Sequence, residues 1–526
     1  MGKDNKNKKT SKKDTKDDKK DKNGNKNSTV PVVKIIDKKA MVDQYMENRE
    51  KYHVYDDTNN VFNGKYFSCT LNKSDLVKNN NKFIIIQILE HDSDGSLIFF
   101  QRWGRVGVRG NFLNKKVNAV NGPKMFLQKY KDKTVNHNYQ EVIIDYEAEV
   151  KKDELKNFTD KQKKPKKKFE NPLDKDVMDL ISLIYDKKMI SNSLHELGYD
   201  SNKMPLGKLS STTLIKGLNI LKEIEEELKT GNPSQENLTK LSSNFYSQIP
   251  HNIGYKKMCN FIIDSTEKVK EKIDMIDALS DMKITLKILE NSDEEDDEYE
   301  NEDEKQIYDC YKKLNCDIRT ISESEHIYSI LQKYLTAGNN DSYYSNNNLS
   351  LIKAYELNRH GEKEKFKDLG NKKLLWHGSR ITNFVGILSQ GLRIAPPEAP
   401  SSGYLYGKGV YFADKSQKSS NYCYPVNNQA LILLGEVSLG REDQRTDTDY
   451  DLPRTLKEGT DSVHALGSLV PSSGETIDKD VFVPNGDAKN VEDNNYYSSY
   501  SEFIVYNPDQ IKLRYLLKSK SNIINI

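Results

Sequence analysis

Gly409-Val410-Tyr411-Phe412-Ala413-Asp414, with Ser419-Ser420-Asn421-Tyr422-Cys423 just after it, decides how the C-terminal part of this 526-residue chain is read. The β-branched and aromatic run at 410–412 behind a glycine has the composition of a strand. Gly407-Lys408-Gly409 leads straight into that strand. A dinucleotide fingerprint needs its glycines between a strand and a helix, so this stretch excludes a Rossmann site. Outward from it, Leu374 to Trp376, Ala430 to Leu439, Glu502 to Tyr506 and Lys512 to Leu517 are further strand candidates separated by turns. The spacing predicts a mostly antiparallel β domain over residues 306–526.

Upstream the pattern changes several times, and the length suits two to four domains. Residues 1–44 form an expected disordered lysine-rich tail, since they offer too little apolar surface to offset the entropy of ordering. Residues 1–29 alone hold 11 Lys against 5 Asp, a net of +6. That charge suits nuclear import or contact with nucleic-acid phosphates, and equally a solubilising tail. Over 45–150 two strand-like runs, Phe83 to Leu89 and Leu97 to Trp103, flank the turn former Asp92-Ser93-Asp94-Gly95 and predict a hairpin. Pro123 then marks a helix start, with Met125, Phe126 and Tyr130 on its apolar face, which makes this a small α+β domain. Residues 151–170 are a basic linker. Over 171–290 the spacing of Val177, Leu180, Ile181 and Ile184, and of Leu218, Leu221, Ile224 and Leu228, predicts an all-α bundle. Residues 291–305 are so acidic that self-repulsion predicts an open loop, and the Asn-rich stretch 338–348 a loop insertion. The formal charge of +2 averages these opposed segments.

Cys69, Cys259, Cys310, Cys316 and Cys423 form no CxxC pair and have no histidine at zinc-finger spacing, so no structural zinc is expected. Residues 1–30 lack the apolar core of a signal peptide, and no apolar run approaches the roughly 20 residues of a membrane span. A soluble, intracellular protein is expected. Lys6 stands where a myristoylation motif beginning at Gly2 would need Ser or Thr.

Five C-terminal motifs, His377-Gly378-Ser379, Arg393 in QGLRIAPPEAP, the two quoted above, and Ser501-Glu502-Phe503-Ile504-Val505, resemble in order and spacing the catalytic domain of poly(ADP-ribose) polymerases. The resemblance implies that NAD+ is a substrate, with no cofactor. It implies cleavage of the nicotinamide–ribose bond through a state with oxocarbenium character, as in glycoside hydrolysis. Glu502 matches the catalytic glutamate, which would stabilise that cation and orient the nucleophile. His377 matches the residue that bonds the adenine-side ribose, and Tyr411 completes the His-Tyr-Glu triad. Gly378 and Ser379 would hold the nicotinamide amide and Tyr422 would stack on its ring. Lys418, Ser419, Asn383 and Arg393 match other pocket positions, and the loop Ala395 to Lys408 would cover the dinucleotide. Outside the resemblance, Glu502 reads as an exposed strand glutamate and the tyrosines, of which the chain has 30, as half-buried core.

Gln101-Arg102-Trp103-Gly104-Arg105-Val106-Gly107 resembles the WGR domain that precedes the catalytic region in DNA-dependent members, and Met204 to Ser210 resembles the start of their helical regulatory domain. The implied DNA contacts are Trp103 stacking on a broken end, Arg105 gripping a phosphate, and Tyr146 nearby. Trp103 alone also reads as a core tryptophan. Tyr139 stands where the family often carries Trp, which would loosen packing. Asp277 to Met282 would lie on the helix facing the NAD+ pocket, as part of a brake released by DNA. Together these imply a short, multidomain α+β enzyme of the nucleus, stimulated by damaged DNA ends or nicks. Its other partners would be acceptor proteins such as chromatin proteins and an accessory factor that completes the site, with no membrane. Polymer formation, single-unit transfer and a silent DNA-end scaffold all remain open at this level.

Overall fold

The structure, a computed structural model, describes residues 40–56, 66–145, 167–196, 208–290, 299–337, 339, 348–401, 404–491 and 496–521. Tyr146, most of the tail and linker, Met204 to Gly207, residues 291–298 and nearly all of the Asn-rich stretch lie outside the described residues.

The first sheet is built from β1 (Tyr52–Val54), β2 (Ser68–Asp75), β3 (Asn80–His91), β4 (Leu97–Arg105), β5 (Asn111–Val117) and β6 (Gln140–Glu141). Its order is β5-β4-β3-β2-β6, with β1 also paired to β3. The expected hairpin is β3–β4, which pairs Ile84 with Trp103 and Leu89 with Ile98. Its turn needs Gly95 at φ +65°, a conformation that costs glycine little. Helix α1 (Asn121–Lys131) follows β5, with Pro123 in its first turn, where a missing N–H breaks no helical bond. Phe126 is fully buried, edge-on to Phe67 at 5.5 Å. Tyr139 stays half-buried against this core, and burial pushes its phenol up.

Residues 40–44, expected in the tail, are packed. Asp43 is buried and takes Nε and Nη2 of Arg102, itself 1 % exposed, at 2.9–3.0 Å. Two charges leave water together there, so the pair holds only because each has the other.

Next come β7 (Ile144–Asp145), α2 (Lys175–Ile184), α3 (Lys187–Glu196), β8 (Lys208–Leu209), α4 (Ser211–Leu228), α5 (Gln235–Gln248) and α6 (Thr266–Glu290). Asp174, Ser210 and Ser234 cap α2, α4 and α5 by accepting from backbone N–H groups three residues on, which satisfies donors that the helix leaves unpaired. The expected single bundle divides its allegiance. Leu218, Phe245 and Ile276 of α4–α6, with Ile249 just past α5, share one core with Leu76, Phe83 and Val106 of the first domain. Val177, Leu180 and Ile184 of α2 instead join the core of the final domain. Helical spacing sets which stripe is apolar but not the surface that stripe meets.

The final domain carries α7 (Glu302–Lys313), β9 (Cys316–Thr320), α8 (His326–Thr336), β10 (Leu349–Arg359), α9 (Glu362–Lys365), β11 (Lys372–Gly378), α10 (Phe384–Gln390), β12 (Val410–Ala413) and α11 (Ser416–Ser420). It continues with β13 (Gln429–Ser438), β14 (Glu442–Arg445), β15 (Ser462–Ala465), β16 (Gly467–Pro471), β17 (Glu475–Ile477), β18 (Val481–Val483), β19 (Ala488–Asn490), β20 (Ser498–Tyr500), β21 (Glu502–Val505) and β22 (Ile511–Ser521). The main sheet runs β14-β15-β21-β12-β11-β13-β22-β10-β9, with β18 parallel to β11 and the other central pairs antiparallel. One face packs on α8 through Tyr334, Leu331 and Trp376, the other on α2 and α10 through Val177, Phe384 and Leu433. The acidic stretch does not stay open to its end: Glu302, Asp303 and Glu304 form the first turn of α7. Acidic side chains there face the positive end of the helix dipole, which offsets their mutual repulsion.

Candidate functional site

Strands β21, β12 and β11, neighbours in the interior of the sheet, bring three of the sequence motifs together. Trp376 is opposite Ala413, and Ala413 is opposite Glu502. On its other side Glu502 is opposite Ala465, so alanines flank the carboxylate on both neighbouring strands and leave room above it. Glu502 is 7 % exposed and its Oε1 lies 2.8 Å from Lys418 Nζ.

His377 donates from Nδ1 to the carbonyl of Tyr411 at 2.9 Å. A carbonyl can only accept, so the proton is on Nδ1 and Nε2 keeps its lone pair in the neutral ring. Desolvation lowers the His377 pKa further than that bond raises it, which keeps the ring neutral. The Tyr411 hydroxyl is engaged with the backbone: it accepts from Tyr406 N at 2.9 Å and donates to Gly407 O at 2.7 Å. Burial pushes its pKa up.

Gly378 sits where a Cβ would fall 1.8 Å from the Ser419 carbonyl, so only hydrogen fits. Asn383 Nδ2 donates to Ser379 Oγ at 3.0 Å, leaving the serine proton to point elsewhere. Ser419 departs from the expectation of a pocket hydroxyl: it is buried and donates to Trp376 O at 3.0 Å, pinning α11 to β11. Tyr422 remains 43 % exposed, with Lys270 of α6 at 5.7 Å over its ring.

Helix α6 packs beside this site, bringing Lys270 to Tyr422 and Asp281 to Arg393. The family resemblance implied that Asp277 to Met282 would lie on the helix facing the pocket; in the structure Asp281 of this helix pairs with Arg393, whose guanidinium is thus engaged by protein. Burial raises Asp277 to about 7, helped by Asp281 and Asp274 and opposed by Arg393 and Lys270. Burial likewise raises Asp281 to about 6 against the pull of Arg393. The loop from Ala395 leans on the same helices. Ala395 and Ala399 join their core, and Ser401 N and Oγ donate to Glu225 at 3.0 and 3.1 Å. Lys408 ties the loop back on itself through Pro397 O at 2.8 Å.

On the first domain Trp103 is 36 % exposed, beside the tight turn where Gly110 at φ +78° passes its carbonyl. Arg105 does not face outward with it, as a phosphate grip would require. Its Nε donates to Gly254 O, its Nη1 to Asn79 O at 3.0 Å, and Tyr255 lies under the guanidinium at 5.9 Å. The sequence marked Arg105 as functional, but its place is the seam with the helical segment. Asn72 and Asn81 strengthen that seam by donating to the carbonyls of Tyr246, Ser247 and His251 at 2.9–3.0 Å. Nothing in the spacing distinguished these asparagines, nor Arg102 and Asp43, from surface residues.

The poly(ADP-ribose) polymerase catalytic domain matches residues 325–521, the poly(ADP-ribose) polymerase regulatory domain residues 171–311, and the WGR domain residues 67–144. The regulatory match therefore runs through the acidic stretch into α7. The chain is 37 % identical over 512 residues to poly(ADP-ribose) polymerase 2-A of Oryza sativa subsp. japonica, covering 92 % of this chain and 74 % of that protein. It is 34 % identical over 497 residues to poly(ADP-ribose) polymerase 2 of Homo sapiens, covering 90 % and 82 %. With poly(ADP-ribose) polymerase 1 of Gallus gallus it shares 35 % over 487 residues, covering 89 % of this chain and 46 % of that protein.

Proposed function

The chain belongs to the poly(ADP-ribose) polymerase family, and we propose that it cleaves the nicotinamide–ribose bond of NAD+ and transfers ADP-ribose to proteins, itself included, as polymer, when it meets broken DNA. The observation that carries this reading is Glu502, an enclosed carboxylate between two alanines, one strand from the β12 carbonyl that orients His377.

As the glycosidic bond lengthens, positive charge grows on the ribose. A fixed carboxylate bonded to a ribose hydroxyl lowers the energy of that charge more than it lowers the ground state. Glu502 fills this role, and the same oxygens orient the acceptor hydroxyl or carboxylate for attack on the opposite face. Lys418 holds Oε1 in place until substrate arrives. His377 Nε2 accepts from the adenine-side ribose, because Nδ1 is already committed to Tyr411 O. Gly378 gives its backbone groups and Ser379 its hydroxyl proton to the nicotinamide amide, Asn383 orienting that serine. Tyr422 stacks on the departing ring. Tyr411, its hydroxyl anchored at 406–407, forms the wall opposite. Catalysis is then mostly positioning.

Arg393 would face the adenosine side once Asp281 lets go. In this arrangement α6 covers the pocket, and the seam of Arg105, Asn72 and Asn81 links α6 and its neighbours to the domain that presents Trp103. DNA ends stacked on Trp103 strain that seam and loosen the helices, with Tyr146 and the lysine-rich tail adding contacts to phosphate. The setting is the nucleus and the acceptors are chromatin proteins, with an accessory factor supplying what the acceptor side lacks.

The test uses purified protein with labelled NAD+, with and without DNA bearing a 5′-phosphorylated nick, beside Glu502→Gln, resolved on a denaturing gel. A DNA-dependent ladder that disappears in the variant is the expected result. A single DNA-dependent shift would restrict the activity to one unit, and tight DNA binding with no labelled product would make the chain a scaffold.

A further inference from the structure

We infer that Glu442, Lys373 and His464 are positioning residues for Glu502, acting through the ring of Phe503; the inference rests on the reading of Glu502 as the catalytic carboxylate. Strand β21 is only four residues long, and its ladders with β12 and β15 are equally short. Such a strand can roll about its axis more easily than a long one. Glu502 and Phe503 are consecutive, so their side chains project from opposite faces and any roll that swings one swings the other. Fixing Phe503 therefore fixes the direction of Glu502.

Phe503 is fixed from strands on either side. His464, its partner residue on β15, stacks on the ring with centroids 4.2 Å apart and planes at 22°. Lys373, on β11, places Nζ 4.6 Å from the same centroid. Cation and ring attract through the ring quadrupole, and stacked rings add their own contact. What joins the two is Glu442 on the edge strand β14. Its Oε1 accepts from Lys373 Nζ at 2.8 Å and from Asn371 Nδ2 at 3.0 Å, and its Oε2 accepts from His464 Nδ1 at 2.9 Å. Its side chain is only 11 % exposed. Burial works against its charge, yet the His464 bond and the Lys373 ammonium hold Glu442 down at about 2, so it is ionised wherever the protein works. His464 Nε2 is buried and has no hydrogen-bond partner among the described residues. The imidazole is thus placed by Glu442 on one side and by the Phe503 ring on the other. None of the three would be chosen as functional from its neighbours in sequence.

The experiment measures kcat and KM for NAD+ on the full chain saturated with nicked DNA, with a thermal melt of each variant. Lys373→Met keeps most of the length of the side chain and loses the charge; Lys373→Arg restores a cation over the ring. His464→Ala removes the stacked ring, and should it fail to fold, His464→Gln keeps a donor for Glu442 without the ring. The expected result is a fall in kcat of about ten-fold in Lys373→Met and in the His464 variant, with KM within about two-fold and Lys373→Arg close to the parent, since small misplacements of a catalytic group cost rate rather than affinity. Unchanged kcat in both charge- and ring-removing variants, or a loss that tracks the melting temperature and is equal in Lys373→Arg and Lys373→Met, overturns the clamp. Glu502→Gln separates the two claims: if it is inactive while the clamp variants are normal, only this inference fails, and if it turns over like the parent, the reading of Glu502 fails with it.

Discussion

Raising the pH from 6 to 8 should increase DNA-independent turnover of NAD+ about ten-fold more than DNA-saturated turnover. The groups concerned lie where α6 meets the catalytic domain. Asp274, Asp277, Asp281 and Lys270 come from the helix, Arg380, Arg393 and Tyr404 from the domain it covers. Asp277 keeps some accessible surface but is enclosed by protein on most sides, and burial raises it from 3.8 to about 7. When the helix lifts, its carboxyl returns toward the ordinary value. Docking raises this pKa, so the docked state is favoured most at pH below 3.8, where the carboxyl is protonated either way, and loses that advantage as pH climbs to about 7. Between pH 6 and 8 the penalty grows by about one pKa unit, or about 1.4 kcal/mol, which is a factor of about ten. Residual solvent screening makes this an upper figure. Asp281, raised to about 6 with Arg393 opposing, adds little over that window because most of its penalty is reached by pH 6. DNA-saturated protein, with the helix already loosened, supplies the baseline. Asp277→Asn fills the same space without a charge, so it should lower basal turnover at pH 8 and flatten the slope. Steady-state turnover with and without nicked DNA, from pH 6 to 8, reads both effects. An undiminished basal slope in Asp277→Asn would refute the reasoning.

Three further outcomes follow from contacts already described. Gly378→Ala would put a methyl 1.8 Å from Ser419 O, forcing α11 away from β11; turnover should fall by about 100-fold, as expected for an ångström of misplacement, and single-turnover kinetics would show it. Arg105→Ala removes the guanidinium that reaches Gly254 O and Asn79 O. DNA affinity, measured by fluorescence anisotropy, should change by less than about three-fold, while stimulation by DNA falls about ten-fold, consistent with about 1.5 kcal/mol for a charged hydrogen bond. Asp43→Ala leaves Arg102 buried without its partner carboxylate; chemical denaturation should show a loss of about 3–5 kcal/mol in the domain that holds Trp103, and a loss below about 1 kcal/mol would mean that residues 40–44 are not part of its core.

Much of the architecture was legible locally. The β3–β4 hairpin, α1 behind Pro123 and the strands carrying His377, Tyr411 and Glu502 all follow from short-range periodicity and turn residues, because each needs only its own neighbours in sequence. The motifs that resemble the family could likewise be read without coordinates, and the chain belongs to that family. Ser419 and Arg105 show where such reading stops. Both were marked as contacts for a ligand, yet the serine hydroxyl is taken up by Trp376 O and the guanidinium by the seam with Gly254. A side chain's identity specifies what it can bond to, while the chain's path through space decides which partner is within reach.

The same distinction holds for charge and for packing. An amphipathic pattern determined that α2 and α4 would be helices with one buried stripe, since the 3.6-residue period is a local property. Whether that stripe met the first domain or the last was decided only when the sheets were in place. The sequence by itself put forward the residues we propose for NAD+ cleavage. Only the tertiary structure decided that Asp43 would meet Arg102, that Asp281 would hold Arg393, and that Glu442, Lys373 and His464 would close on the ring behind Glu502. Each of those pairs is far apart along the chain, and a buried charge accepts whatever opposite charge the fold brings within about 3 Å, because leaving it alone in a low dielectric costs far more.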